Sequence, residues 1–101
     1  MIEAKIRDLS NTTVEFYGRF LTKEDRELLS NLICEKTLKT FILPYENPDL
    51  PPLPEPIKPI DHKEWRDKLS LLQKNEKFKF LTEQLSLIVY KKYFDQYLKN
   101  E

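Results

Sequence analysis

The placement of proline constrains this chain more than any other feature. All seven prolines fall between Pro44 and Pro59, a stretch of 16 positions, and none lies elsewhere in the 101 residues. Each fixes φ near −65° and removes a backbone donor, so neither a helix nor a central strand can run through that stretch. The expectation is extended polyproline II, reaching roughly 50 Å at about 3.1 Å per residue. The chain therefore divides into a proline-free segment 1–43, an extended strap 44–60 and a second proline-free segment 61–101, together one small domain.

Glycine is as scarce as proline is localised. Gly18 is the only one, against a background of about 7%. Phosphate cradles of the Walker or Rossmann kind need several glycines close together, so nucleotide-binding loops are excluded. Cys34 is likewise the only cysteine. No intrachain disulfide can form, and a reducing compartment, cytoplasmic or nuclear, is expected. Glu3, Lys5, Arg7 and Asp8 leave no room for the apolar core of a secretory signal. No uncharged run approaches the roughly 18–20 residues that span a bilayer, so no membrane partner is expected. Lysine plus arginine and aspartate plus glutamate both total 17. A strongly basic nucleic-acid binder would carry an excess of one sign.

The first segment has mixed patterning. Ile2, Ala4 and Ile6 alternate with charged residues, as do Val14 and Phe16, and Ser10-Asn11-Thr12 supplies turn chemistry. This predicts a β-hairpin over about 2–20, with a short helix at 1–9 as the competing reading. Thr22 and Asp25 resemble a capping box that opens a helix from about Lys23 to Glu35, with Leu28, Leu29, Leu32 and Ile33 on one face. Beyond Lys36 the apolar positions swing round to Leu38, Phe41 and Ile42, which suggests a break and a short strand near 37–43. In the last segment Asp61 and Glu64 form a second capping box, ahead of a helix carrying Trp65, Leu69 and Leu72. Lys74-Asn75-Glu76-Lys77 interrupts that pattern, and a second helix or a bend follows. The fold expected is α+β: hairpin and helix, strap, C-terminal helical pair. An all-α small bundle is the alternative.

Function is sought first in residues 78–98. Leu81, Leu85 and Ile88 make one stripe, and Leu87, Tyr90, Phe94 and Tyr97 make another that points elsewhere. Six of the twelve aromatics lie between Phe78 and Tyr97. One packing surface would leave a stripe exposed, unless the N-terminal segment and the strap cover both. The reading is a non-catalytic adaptor or accessory subunit, binding a protein partner or a second copy of itself. Trp65, Leu87, Tyr90, Phe94 and Tyr97 are the expected anchors. The alternative is a nucleic-acid-associated protein, in which Lys74, Lys77, Lys79, Lys91 and Lys92 contact phosphates and Phe78 and Phe80 stack on bases.

Other candidates are weaker. Pro48–Pro51, Pro51–Pro54 and Pro56–Pro59 have the PxxP form read by aromatic grooves. The same stretch also serves as a structural strap in which Leu50, Leu53, Ile57 and Ile60 pack on the domain. Cys34 and His62 are the only cysteine and histidine, a nucleophile pair would need them adjacent in space, and Cys34 falls beside an apolar stripe. They cannot complete a zinc site without carboxylates, so no metal and no cofactor is expected. The acidic pairs Glu24-Asp25 and Asp61/Glu64 sit where helix N-termini attract acids anyway.

Overall fold

The computed structural model describes residues 2–43 and 62–98, and among these there is no strand. Four α-helices occur: α1 (Ile2–Tyr17), α2 (Lys23–Thr37), α3 (His62–Ser70) and α4 (Lys74–Tyr93). Two of them continue into π-helical turns, α2 through Leu38–Ile42 and α4 through Phe94–Leu98. The α+β expectation is therefore wrong, and the all-α alternative fits. The proline-rich stretch 44–60, with its PxxP motifs and strap, lies outside the described residues.

The expected hairpin is a single helix, and the reason is visible in which residues it buries. Ile6, Leu9, Ser10, Thr13 and Val14 are the buried positions of α1, a spacing of i, i+3, i+4, i+7, i+8. The period-2 reading overweighted Ile2 and Phe16, both of which are exposed. The hydroxyls that suggested a turn are absorbed by the helix itself. Ser10 Oγ donates to the Ile6 carbonyl at 2.7 Å and Thr12 Oγ1 to the Asp8 carbonyl at 3.0 Å, the i−4 back-bond open to such side chains. Ser10 and Thr13 are both fully buried.

The start of α2 follows its sequence signal. The Thr22 side chain accepts a hydrogen bond from the Asp25 amide at 3.1 Å, relieving one orphan donor of the first turn. Leu29 and Ile33 are fully buried, while Leu28, expected on the same face, is 47% exposed. The strand expected near 37–43 is replaced by the π turn. Its wide winding is closed by the Leu43 amide donating to the Leu38 carbonyl at 2.7 Å, an i→i+5 bond. The shift of the apolar positions after Lys36 was thus a real signal with a different cause. A wider turn, not a strand, rotates Phe41 and Ile42 back toward the core.

Helix α4, about 30 Å long, is the centre of the fold. Helices α1 and α2 pack against it and against each other. Its buried residues are Phe78, Leu81, Leu85, Ser86, Val89, Tyr90 and Tyr93. Helix α3 joins through buried Leu69 and through Trp65, whose ring meets Phe80 at 5.3 Å and Tyr17 at 6.4 Å. The break between α3 and α4 falls at residues 71–73, and Lys74-Asn75-Glu76-Lys77 forms the first turn of α4 rather than an interruption. No helix of the described residues is long and apolar enough to cross a membrane.

Candidate partner-binding site

Both stripes of α4 are covered in part. Leu81, Leu85 and Tyr90 are shielded completely, and Leu87, Ile88 and Phe94 are half-buried. The Tyr90 ring stacks on Phe41 with centroids 4.6 Å apart and planes 9° apart, and meets Phe94 edge-on at 6.4 Å. The π turn after α2 therefore covers the second stripe at Tyr90, as the alternative of cover by the N-terminal segment 1–43 had it. Of the five expected anchors, Tyr90 is a core residue, Phe94 packs against the core, and Leu87 is half-buried. The side chain of Tyr97 lies outside the described residues. Trp65 is separate from them, since it touches α4 at Phe80, about 20 Å along the helix axis from Phe94. The structure does not bring the five together.

Trp65 belongs instead to a cleft at the other end of the molecule. The cleft has a volume of about 440 Å³ and is lined by Phe16, Tyr17, Arg19, Phe20, Trp65, Arg66, Leu69, Ser70 and Lys77. It lies within the size range of small-ligand sites. Its construction begins at the end of α1. The Gly18 amide donates to the Val14 carbonyl at 2.7 Å, and the Leu21 amide donates back to the Gly18 carbonyl at 3.0 Å. A Cβ at Gly18 would lie 2.8 Å from the Val14 carbonyl oxygen, so close approach rather than φ explains the glycine. The turn leaves Arg19 and Phe20 exposed, and Arg26 fixes its far end by donating to the Leu21 carbonyl at 2.7 Å.

Aromatic edges make the wall. Phe16 and Tyr17 meet at 4.8 Å and 77°, Tyr17 leads to Trp65, and Trp65 meets Phe80 at 70°. Leu69, one helical turn from Trp65, is buried in the wall. Phe16 and Phe20 remain 52% and 60% exposed, which is a large apolar area for two side chains of one cleft to present to water. Three cations surround them. The Arg19 guanidinium lies 5.3 Å from the Phe16 ring centre, and its Nε donates to the Phe16 carbonyl at 3.1 Å. Arg66 is exposed on α3, and Lys77 is half-buried on α4. No carboxylate appears among the lining residues.

Sequence reasoning found Trp65 and missed Phe16, Tyr17, Arg19 and Phe20. The missing signal was available once 1–17 was read as helix. Phe16 lies about 200° around the axis from Val14, at 100° per residue, and so faces away from the buried stripe. Read as a strand, the same two residues share a face.

The five lysines of the nucleic-acid alternative do not form one patch. Lys74 and Lys92 are about 27 Å apart along α4. Lys74 pairs with Asp25 at 3.3 Å, and Lys91 with Asp95 at 2.6 Å. Lys92 donates to the Thr13 hydroxyl at 3.1 Å, and burial lowers its pKa from the ordinary 10.5. Lys79 is exposed, and Lys77 alone reaches the cleft.

Cys34 is buried in the core, and burial raises its thiol pKa above the ordinary 9.0. That favours the protonated, unreactive form. The side chain of His62 and the cap residue Asp61 lie outside the described residues. No group of three or more His, Cys, Asp or Glu able to hold a metal ion occurs among the described residues. A second groove, between α1 and α2, has Glu15 and Glu27 against Lys23 and Arg26 and so no net charge of its own. Comparison with protein families, curated proteins and solved structures finds no match to this chain.

Proposed function

We propose that this chain is a small non-catalytic accessory protein that captures a segment of a partner protein in the Trp65 cleft. The observation that carries the reading is the cleft itself: exposed Phe16 and Phe20 beside half-buried Trp65 and buried Leu69. Aromatic side chains in a concave site, with a polar or charged rim, are the usual anchors of recognition. The burial of Tyr90 moves the expected docking surface away from the C-terminal half of α4. Trp65 is the one anchor of the original five that serves here.

The test is selection from a random 12-residue peptide display library on the purified chain, with counter-selection on the Phe16→Ala/Phe20→Ala double variant. Both side chains are largely exposed, so the variant keeps its fold, and circular dichroism checks this. Peptides retained by the wild type and lost by the variant support the reading. A selection in which every binder is kept by the variant refutes it.

A further inference from the structure

The charge around the cleft points to what it accepts. We infer that the occupant is an acidic peptide segment, in which one large apolar side chain fills the cleft while neighbouring aspartates or glutamates pair with Arg19, Arg66 and Lys77. The inference rests on the proposed partner-binding role and adds the chemistry of the partner.

Charge complementarity carries it. The chain as a whole is neutral, yet the lining of this cleft holds three cations and no carboxylate. The groove between α1 and α2, with its balanced charges, shows that a cleft of this molecule need not be one-sided. Arg19 is anchored at the rim by its bond to the Phe16 carbonyl and its position against the Phe16 ring. A guanidinium held in this way presents a preorganised planar fork, which suits a carboxylate.

Size and geometry favour a peptide over single-stranded nucleic acid. A volume of about 440 Å³ admits one or two side chains, not a run of bases. Nucleic-acid channels need open aromatic faces and a cationic track along the backbone. Here Tyr17 and Trp65 are half-buried in ring contacts, and Arg19 lies over Phe16.

The test uses the peptides selected above, with Trp65, the only tryptophan, as an intrinsic fluorescence reporter. Each peptide is titrated alongside a version with Asp and Glu replaced by Asn and Gln. Both are titrated against the wild type and the Arg19→Gln/Arg66→Gln variant. The expected result is enrichment of acidic residues around one large apolar residue. Neutralising the peptide should weaken binding about tenfold in the wild type and little in the variant, as expected of a few rim ion pairs. Cleft-dependent peptides that bind equally well when neutralised would overturn the acidic chemistry and leave the partner-binding role standing. A selection with no cleft-dependent peptide would overturn both. Two further outcomes overturn the peptide assignment. One is tighter, cleft-dependent binding of a 12-nucleotide oligothymidylate. The other is a dimer by light scattering that the Phe16→Ala/Phe20→Ala substitution dissolves, since a second copy would then be the occupant.

Discussion

Replacing Tyr90 with alanine separates a core residue from a surface anchor. In the structure the ring is fully buried, stacked on Phe41 and edge-on to Phe94. Truncating a buried aromatic of this size removes transfer energy and leaves a cavity, at a cost of about 3–5 kcal/mol. Total stability for a domain of this length is about 5–15 kcal/mol. The variant should therefore lose a large fraction of its margin, and its urea midpoint should fall by at least about 1 M for a slope of about 1–3 kcal/mol/M. Tyr90→Phe keeps the stack and should cost less than about 1.5 kcal/mol. A double-mutant cycle with Phe41→Ala isolates the ring pair, for which about 0.5–1.5 kcal/mol of coupling is expected. Urea unfolding followed by circular dichroism reads all four species. A Tyr90→Ala protein within about 0.5 kcal/mol of wild type, the range of ordinary surface substitutions, would refute the argument.

Three further outcomes follow from local geometry. Gly18→Ala brings a Cβ to 2.8 Å from the Val14 carbonyl oxygen, and the overpacking should cost about 1–3 kcal/mol in a urea melt. Thr22→Ala removes the acceptor that caps α2 and should cost about 1 kcal/mol, while Thr22→Ser restores most of it. Alkaline pH should pull stability in two directions. Cys34 has its pKa raised by burial, so above 9.0 the folded state binds more protons than the unfolded and stability falls. Lys92 has its pKa lowered by burial, so below 10.5 the unfolded state binds more protons and stability rises with pH. Cys34→Ala should leave the rising contribution and Lys92→Met the falling one, as read by urea midpoints across that range. Curves for both variants parallel to wild type would contradict the assignment.

The sequence yielded the elements with a single dominant pattern. The N-terminus of α2 was legible because Thr22 and Asp25 carry a local signal whose hydrogen bond forms as expected. The two C-terminal helices were legible because their apolar residues repeat with helical spacing. The N-terminal helix was not, since Ile2, Ala4 and Ile6 satisfy a period of 2 and Ile2, Ile6 and Leu9 satisfy 3.6. Burial of Ser10 and Thr13 in a helix interface, which decides the matter, has no signature in hydropathy. The π turn was detected as a phase shift and assigned to the wrong cause, because a shift alone does not distinguish a break from a change of winding. The cleft was half legible. Trp65 was named on the apolar stripe of its helix, but its neighbours come from the end of α1, some 45–50 residues earlier in the chain. The surplus of aromatics in α4 was counted correctly. The cover that Phe41 provides for Tyr90 depends on where the π turn ends, a tertiary fact.

The most direct measurement of the central claim is a two-dimensional amide spectrum of the labelled chain, with and without a library-selected peptide. The perturbed signals should cluster at Tyr17, Arg19, Phe20, Ser70 and the Trp65 indole, with Leu87, Tyr90 and Phe94 unmoved. Perturbations centred on Leu87 and Phe94, with the indole of Trp65 unchanged, would contradict the account.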